Sequence, residues 1–151
     1  MALAVVTAQR ATCLRRSVGC VLLNERGHVI ATGYNGVAAG QPHCNKHDMF
    51  APEGMPFACP GAHLPSGTGL DGCHAVHAEQ NALLQCRDVY SIQTAYVTAS
   101  PCMTCTKLLL NTSCKQIIFI DEYPHAEAKQ LWESSGREWS KLDFKYSFTS
   151  A

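Results

Sequence analysis

Two short stretches of the chain place metal-binding and proton-transferring side chains at the start of predicted helices. One is His-Ala-Glu at 77–79, and the other is Pro-Cys-Met-Thr-Cys at 101–105. Residues three apart lie on one face of a helix, so Cys102 and Cys105 can reach the same ion. The positive end of a helix dipole also favours thiolate over thiol at these positions.

Two thiolates and a neutral imidazole supply three protein ligands for Zn²⁺. His77, Cys102 and Cys105 would leave the fourth tetrahedral position to water, which is typical of catalytic zinc. Zinc brings the pKa of its water down to about 7. Glu79 would sit beside that water without binding the ion, and it can pass the proton to a substrate nitrogen.

Each stretch has a second interpretation when taken alone. His-x-Glu occurs by chance, and Pro-Cys-x-x-Cys also suits a redox pair, half of a structural zinc site or core cysteines. The two stretches together, in this order and each before a helix, favour a catalytic zinc site.

A strand and helix pattern surrounds these stretches. Apolar runs over 18–24 and 28–35 predict a hairpin that turns at 25–27. The N-terminal segment predicts an amphipathic helix. Later segments predict helices at 77–86, 102–113 and 125–136 and strands at 95–99, 115–121 and 142–148. The order predicts a mixed sheet flanked by helices.

The composition is that of an ordinary globular chain with balanced charge. It has 151 residues, 46% of them hydrophobic, and its twelve basic and twelve acidic residues cancel. This size predicts one domain over 1–151. The neutral charge offers no large basic face for nucleic acid. No apolar run has the length of a membrane span, and no signal peptide pattern is present. We therefore expect neither nucleic-acid nor membrane partners.

Nine cysteines are a high and odd number. This count argues against a full disulfide framework and favours metal-binding or core cysteines in the cytoplasm. Cys20, Cys86 and Cys114 lie in apolar patterns and are predicted core residues. The irregular Cys/His-rich segment at about 36–72 is long for an unanchored loop, and a metal ion could anchor it.

The motifs resemble the deoxycytidylate (dCMP) deaminases of microbial and phage type, within the cytidine deaminase superfamily, whose signature is H-x-E followed by P-C-x-x-C. The resemblance covers nearly the whole chain except about the last fifteen residues, and it rests on these stretches: ATCLRRSVGCVLLN at 11–24, GYNG at 33–36, HC at 43–44, CPGAHLPSG at 59–67, CHAVHAEQNALLQC at 73–86, TAYVTASPCMTC at 94–105 and IIFIDEYPHAEA at 117–128. It implies a three-layer α/β/α fold with a mixed five-stranded sheet.

The resemblance also implies a reaction, in which dCMP is hydrolysed to dUMP and ammonia by a zinc-bound hydroxide, feeding dTMP synthesis. Glu79 would be the proton shuttle. The implied substrate contacts are the peptide groups of Ala78 and Ser100 at the base, Asn35 at the sugar, and Tyr123 in the nucleotide site. For the phosphate the candidates are Arg15, Arg16 and Ser17, although a solvated helix end explains the two arginines equally well.

Regulation and assembly are further implications of the resemblance. It implies activation by dCTP and inhibition by dTTP, with Mg²⁺ accompanying the triphosphate, at a site near Tyr34, Asn35 and Gly36. Tyr34 and Tyr123 could instead be packing aromatics. The resemblance also implies a homo-oligomer, in the form of a hexamer.

A second, structural Zn²⁺ is predicted at the cysteines that remain near the family's extra positions. Four thiolates make a closed tetrahedral site that stabilises a loop with little apolar burial. The predicted ligands are Cys13, Cys44, Cys59 and Cys73, and His43, His63 and His74 compete for these places. The alternative is that these are free cysteines and surface histidines.

Two rival functions remain open at this point. One is a zinc-dependent nucleoside or tRNA-base deaminase, which leaves GYNG and the cysteine-rich insertion unexplained. The other is a non-enzymatic, zinc-stabilised binding module. Glu79 argues against the binding module, because a structural site does not need a carboxylate beside a water molecule.

Overall fold

The structure, a computed structural model, describes residues 1–41, 43–44 and 59–145. Its strands are β1 (Gly19–Leu23), β2 (Val29–Tyr34), β3 (Gly36–Val37), β4 (Ala75–Val76), β5 (Thr94–Ala99), β6 (Gln116–Asp121) and β7 (Glu138–Lys141). Its α-helices are α1 (Ala2–Ala8), α2 (Ala78–Gln85), α3 (Met103–Leu110) and α4 (Ala126–Ser134). Short 3-10 helices cover Pro60–His63, Leu70–Gly72 and Val89–Ser91. No helix in the described ranges is long and apolar enough to cross a membrane.

A mixed five-stranded sheet in the order β2-β1-β5-β6-β7 forms the centre of the fold. The β2, β1 and β5 strands pair antiparallel, and β5, β6 and β7 pair parallel. The predicted hairpin is confirmed, as is the mixed sheet of five strands. In the parallel half, α3 follows β5 and α4 follows β6, and each helix returns the chain to the same end of the sheet.

Helices cover both faces of the sheet because two glycines let them approach closely. Gly33 of β2 pairs with Cys20, and a Cβ atom at Gly33 would overlap the carbonyl oxygen of Ala78 in α2. Gly19 precedes Cys20 and so points to the opposite face, where a Cβ atom would overlap Ala4 in α1. The helix layers on opposite faces make the predicted three-layer α/β/α arrangement, which is confirmed.

The larger hydrophobic core lies on the α2 side of the sheet. Alternate residues of β1, β5 and β6 point to this face and are buried together with the α4 tryptophan. The largest of these side chains are Leu22, Val97, Ile117, Phe119 and Trp132. This core holds α2, α3 and α4 at fixed positions on the sheet.

The last strand lies earlier in the chain than the sequence predicts. The prediction of 142–148 is wrong, because β7 spans Glu138–Lys141, residues 142–145 are irregular and 146–148 lie outside the described residues. Two contacts fix the strand: Trp132 donates its indole N–H to the Glu138 carbonyl at 2.8 Å, and Trp139 packs edge-on against Phe119. Packing of the tryptophans therefore outweighs the polar pattern of this segment.

The cysteine-rich insertion is closed at its base by a short ladder that the sequence does not reveal. Gly36 pairs with Val76 and Val37 pairs with Ala75, which makes β3 and β4 a separate two-stranded sheet. Position 42 and the segment 45–58 of the insertion lie outside the described residues. The β3-β4 ladder places the residues before α2 next to the end of β2.

Candidate active site

The starts of α2 and α3 meet at one end of the sheet. His77 is the N-cap of α2, and Cys102 is the N-cap of α3, which follows β5. The His77 N–H donates to Gln80 Oε1 at 2.8 Å, which satisfies a backbone donor at the start of α2. Asn81 Nδ2 donates to the Tyr34 carbonyl at 2.7 Å and ties the same helix to β2. These contacts fix the position of the His77 imidazole.

Three side chains from the two helix starts form a site with the dimensions of a zinc centre. His77 Nδ1 lies 3.5 Å from Cys102 Sγ and 3.4 Å from Cys105 Sγ. Zinc bonds of about 2.0–2.3 Å at tetrahedral angles separate the ligand atoms by about 3.5–3.8 Å. Among the described residues, this is the one group of three or more potential ligands whose atoms all lie within 4.8 Å of one another. The donor set and its spacing fit Zn²⁺.

The chain itself stabilises negative charge at this centre. A hydrogen bond from Cys105 and the neighbouring His77 imidazole lower the pKa of Cys102 to about 4. The pKa of Cys105 is raised in turn, because its thiol is the donor to Cys102 and is buried. The hydrogen bond with Cys102 also raises the pKa of His77. A thiolate next to an imidazole suits a divalent cation.

Glu79 lies in the first turn of α2 and is 4% exposed. Burial raises the pKa of this carboxyl to about 7, since the low-dielectric surroundings oppose its charge. A group with this pKa can both accept and release a proton at neutral pH. Glu79 is outside the three-ligand group, as expected for a proton carrier beside a metal-bound water.

A cleft opens in front of this centre. His77, Glu79 and Cys102 line one end of it. The structure brings most of the predicted substrate-binding residues to its wall: Arg15, Arg16, Asn35, Ala78, Ser100 and Tyr123. Ser17 is exposed and is not among the residues that line the cleft.

Asn35 lines the cleft, and its side chain also forms hydrogen bonds with the backbone. Its Nδ2 donates to the Arg16 carbonyl, and its Oδ1 accepts from the Val18 N–H, each at 2.7 Å. The side chain is 8% exposed, so these bonds are shielded from water. Asn35 therefore fixes the segment that carries Arg16.

The two adjacent arginines have different roles in the structure. Arg15 Nη1 donates to the carbonyls of Pro65 and Thr68, at 3.3 and 2.7 Å, and holds the turn between them. Arg16 instead pairs with Asp121 at 2.9 Å and lies over the Tyr123 ring, 5.4 Å from its centroid.

Two residues of the cleft surroundings were missed by sequence reasoning. Ser66 Oγ and Tyr123 Oη form a hydrogen bond of 3.1 Å across the mouth of the cleft. Asp121 contacts Arg16 from outside the cleft wall. A carboxylate at the end of a parallel strand was the available signal for Asp121, because ligands bind at this edge of open sheets. Ser66 lies in an irregular segment and had no local signal.

The four predicted ligands of the structural zinc lie near one another but are more loosely grouped than the first set. Cys59 Sγ is 3.9 Å from Cys73 Sγ and accepts the His74 N–H at 3.3 Å. Cys44 is buried, and burial with the nearby Cys59 thiol raises its pKa to about 12. Arg15 lies beside the sulfur atoms of Cys73 and Cys13. His43 and His74 are exposed.

Tyr34 and Gly36 line a separate cleft, together with Thr12, Asn81 and Gln85. Asn35, which stands between them, points into the catalytic cleft instead. The three predicted allosteric residues are thus divided between two surfaces, because successive residues of an extended chain point in opposite directions.

Comparison with known proteins identifies the family. Residues 1–121 match the model of the cytidine and deoxycytidylate deaminase zinc-binding region. The chain belongs to the cytidine and deoxycytidylate deaminase family. The matched region contains both helix starts and the cleft residues described above, except Tyr123.

Relatives within this deaminase family cover most of the chain. It is 38% identical over 128 residues to a deoxycytidylate deaminase of Schizosaccharomyces pombe, with 82% of this chain and 36% of the relative covered. It is 37% identical to the deoxycytidylate deaminase of Mycobacterium phage D29, with 81% and 91% covered. The chain thus spans about a third of the length of the yeast relative and most of the phage one.

The fold is shared with a solved deaminase of the family. The dCMP deaminase from cyanophage S-TIM5, in complex with dCMP and dUMP, superposes with a TM-score of 0.68 at 23% identity. The match covers 93% of this chain and 92% of the phage chain. It shows that both proteins have the same arrangement of sheet and helices.

We expect Cys105→Ala to lose one zinc ion per chain, because a zinc centre with two protein ligands holds the metal weakly. Elemental analysis of the purified protein measures this. Cys86→Ala removes a thiol outside the group and should keep the wild-type zinc content. In the wild type, Cys102 and Cys105 should resist alkylation until a chelator is added. Rapid alkylation without a chelator would instead indicate a redox dithiol.

Proposed function

We propose that the chain hydrolyses dCMP to dUMP and ammonia, a reaction that feeds dTMP synthesis. The observation that carries the proposal is Glu79, which is buried at the end of the cleft beside the group of His77, Cys102 and Cys105. A proton carrier next to three zinc ligands is the arrangement needed to add water to a ring carbon and expel an amine. Arg16 lies in the wall of the same cleft and can meet a phosphate.

The chemistry at the base requires proton transfers in two directions. Zinc, when bound, supplies a water molecule of pKa about 7. Glu79 takes one proton from that water and delivers it to N3 of the cytosine, and it later takes the proton of the hydroxyl formed at C4 and delivers it to the amine that leaves C4. Its pKa of about 7 suits both steps, because neither protonation state is strongly preferred at neutral pH.

Backbone groups are suited to hold the pyrimidine edge. Ala78 is the first residue of α2, where N–H groups point out of the helix end. The Ser100 N–H already donates to the Asp121 carbonyl at 2.8 Å, so the Ser100 carbonyl is the group left for the exocyclic amine. Asn35 is placed to meet the sugar while its amide holds the Arg16 segment.

The phosphate end of the cleft favours a nucleotide over a nucleoside. Arg16 presents its guanidinium there, and its stacking on Tyr123 leaves N–H donors at the edge of the plane. Ser17 follows Arg16, is exposed, and can add a hydroxyl donor to a bound phosphate. We therefore place the 5′ phosphate against Arg16.

Turnover of dCMP, deoxycytidine, cytidine and a tRNA anticodon stem tests the substrate. We expect dCMP to exceed deoxycytidine by about a hundredfold in kcat/KM, because charge-assisted hydrogen bonds to the phosphate are lost in the nucleoside. Glu79→Gln should retain zinc and lose about a thousandfold or more in dUMP formation. Glu25→Gln, an exposed carboxylate in the β1-β2 turn, is the matched control.

The same assay separates the rival functions. Greater turnover of cytidine or of the anticodon stem would identify a nucleoside or tRNA-base deaminase. Zinc binding without turnover of any of these substrates would indicate a binding module. Near-normal activity of Glu79→Gln would contradict the role given to Glu79.

We also propose a second, structural Zn²⁺ at Cys13, Cys44, Cys59 and Cys73. The Cys59–Cys73 sulfur separation of 3.9 Å supports it, since two sulfurs of a tetrahedral zinc site lie about 3.8 Å apart. Cys13 precedes the arginine pair and Cys73 precedes α2. An ion there would join the insertion to both segments that carry active-site residues.

Metal content distinguishes this second ion from the first. We expect two zinc ions per wild-type chain and one in Cys59→Ala, which should also unfold at a lower temperature because the ion stabilises the folded state. Cys114→Ala removes a buried cysteine of the hydrophobic core and should keep both ions. A wild-type content of one zinc ion would contradict the second site.

Regulation by triphosphates is a further part of the proposal, with dCTP as activator, dTTP as inhibitor and Mg²⁺ bound to the triphosphate. The cleft lined by Tyr34, Gly36 and Asn81 supports it, because Asn81 is in α2 and donates to the Tyr34 carbonyl. A nucleotide bound there would act on the same helix that carries His77 and Glu79.

We expect dCTP and dTTP to change turnover at subsaturating dCMP by about fivefold or more in opposite directions, which is the usual size of an allosteric coupling. Tyr34→Ala should lose the response, while Tyr90→Ala, at a tyrosine that is 75% exposed and outside this cleft, should keep it. An unchanged rate with either triphosphate, in the presence of Mg²⁺, would contradict the regulatory site.

The proposal extends to assembly and location. Leu84 and Leu108 are exposed apolar residues on α2 and α3, which supports contacts between copies in a homo-oligomer such as a hexamer. All nine cysteines lie in the described ranges and carry free thiols, which fits a reducing cytoplasm.

A further inference from the structure

Asp121 carries a carboxylate whose partner is Arg16, and the proposed chemistry leaves it without a role. It is the last residue of β6, and its Oδ2 lies 2.9 Å from Arg16 Nη2. The Arg16 side chain is 30% exposed, whereas that of Asp121 is 65% exposed. Arg16 lines the catalytic cleft and Asp121 does not. The carboxylate therefore contacts the guanidinium without being part of the cleft lining.

One contact holds the Arg16 backbone and two hold its side chain. Its carbonyl accepts from Asn35 Nδ2 at 2.7 Å, its guanidinium lies 5.4 Å above the Tyr123 ring, and Asp121 binds one terminal nitrogen. An arginine side chain has many rotamers, and a ligand that binds one of them must meet the entropy cost of selecting it. Contacts already present in the free protein reduce that cost.

The ion pair with Asp121 leaves other N–H donors of the Arg16 guanidinium for an anion. A guanidinium has five N–H groups, and the ion pair uses one of its two terminal nitrogens. The exposed Asp121 charge is screened by solvent, so its repulsion of a phosphate held on the other side of Arg16 is weak.

We propose that Asp121 is a positioning residue that selects nucleotides over nucleosides, by holding the Arg16 guanidinium against Tyr123 in the orientation that binds the 5′ phosphate. This inference rests on the proposed dCMP deaminase activity. Asp121 acts only through Arg16. The base end of the cleft depends on the backbone of Asp121 and not on the Asp121 side chain. The Asp121 carbonyl accepts the Ser100 N–H, and that bond is kept when the side chain is changed.

The expected result for Asp121→Ala is a KM for dCMP raised about tenfold with kcat changed less than twofold. Losing one charge-assisted hydrogen bond between a positioned arginine and the phosphate weakens binding by about this factor. The kcat/KM for deoxycytidine should stay at the wild-type value, because that substrate has no phosphate. Asp121→Glu should restore most of the dCMP affinity. Asp121→Asn should have a KM for dCMP between those of Asp121→Ala and Asp121→Glu.

A double substitution separates action through Arg16 from other effects. Arg16→Ala should raise the KM for dCMP by more than Asp121→Ala does, and adding Asp121→Ala to Arg16→Ala should cause no further rise. Glu133→Gln is the matched control, since Glu133 is an exposed carboxylate paired with Lys129 at 4.0 Å, away from the cleft. Its kinetics should equal those of the wild type.

Three outcomes would overturn the inference. An unchanged KM for dCMP in Asp121→Ala would show that Arg16 needs no support, and a lowered KM would show that Asp121 competes with the phosphate. An equal loss with dCMP and deoxycytidine would show a general structural effect. Failure of the underlying function looks different, because the wild-type protein itself would then not turn over dCMP.

Discussion

The meeting of two helix starts at one edge of the sheet is the constraint on which the rest of the structure depends. His77 and Cys102 each cap a helix, and the imidazole nitrogen lies 3.5 Å from the Cys102 sulfur. Helix α2 reaches this place because Gly33 lets its backbone rest directly on β2. Helix α3 reaches it because β5 ends three residues before Cys102. A larger residue at the Gly33 contact would displace the histidine from the cysteines.

The cleft has two ends with different electrostatic character. At the buried end, low dielectric surroundings keep Glu79 near its point of half-protonation, which suits proton transfer. At the half-exposed end, the Arg16 guanidinium is held by Tyr123 and Asp121. The nucleotide substrate proposed above matches this pattern, since it has a neutral base and a charged phosphate. The polarity of the cleft therefore follows from how deeply each end is buried.

The elements nearest the chemistry were the most predictable from sequence. The hairpin and the helices after His77 and after Pro101 have clear patterns, because apolar periodicity and helix-start residues agree there. The β7 strand was predicted too late in the chain, since its position comes from the packing of Trp132 and Trp139 rather than from alternation. The β3-β4 ladder also went unpredicted, because two-residue strands carry no period.

The sequence by itself determined the donor set of the site: a histidine and two cysteines one helical turn apart suit a zinc ion, and the nearby glutamate suits the proton transfer proposed above. Only the tertiary structure decided how the neighbouring arginines divide their roles. Arg15 braces a turn 53 residues away in the chain, and Arg16 meets a carboxylate 105 residues away. Local sequence patterns report local geometry, whereas contacts over such separations depend on how the whole sheet assembles. Features that depend on residue types and short spacings could therefore be predicted from the sequence. The partner of each arginine could not.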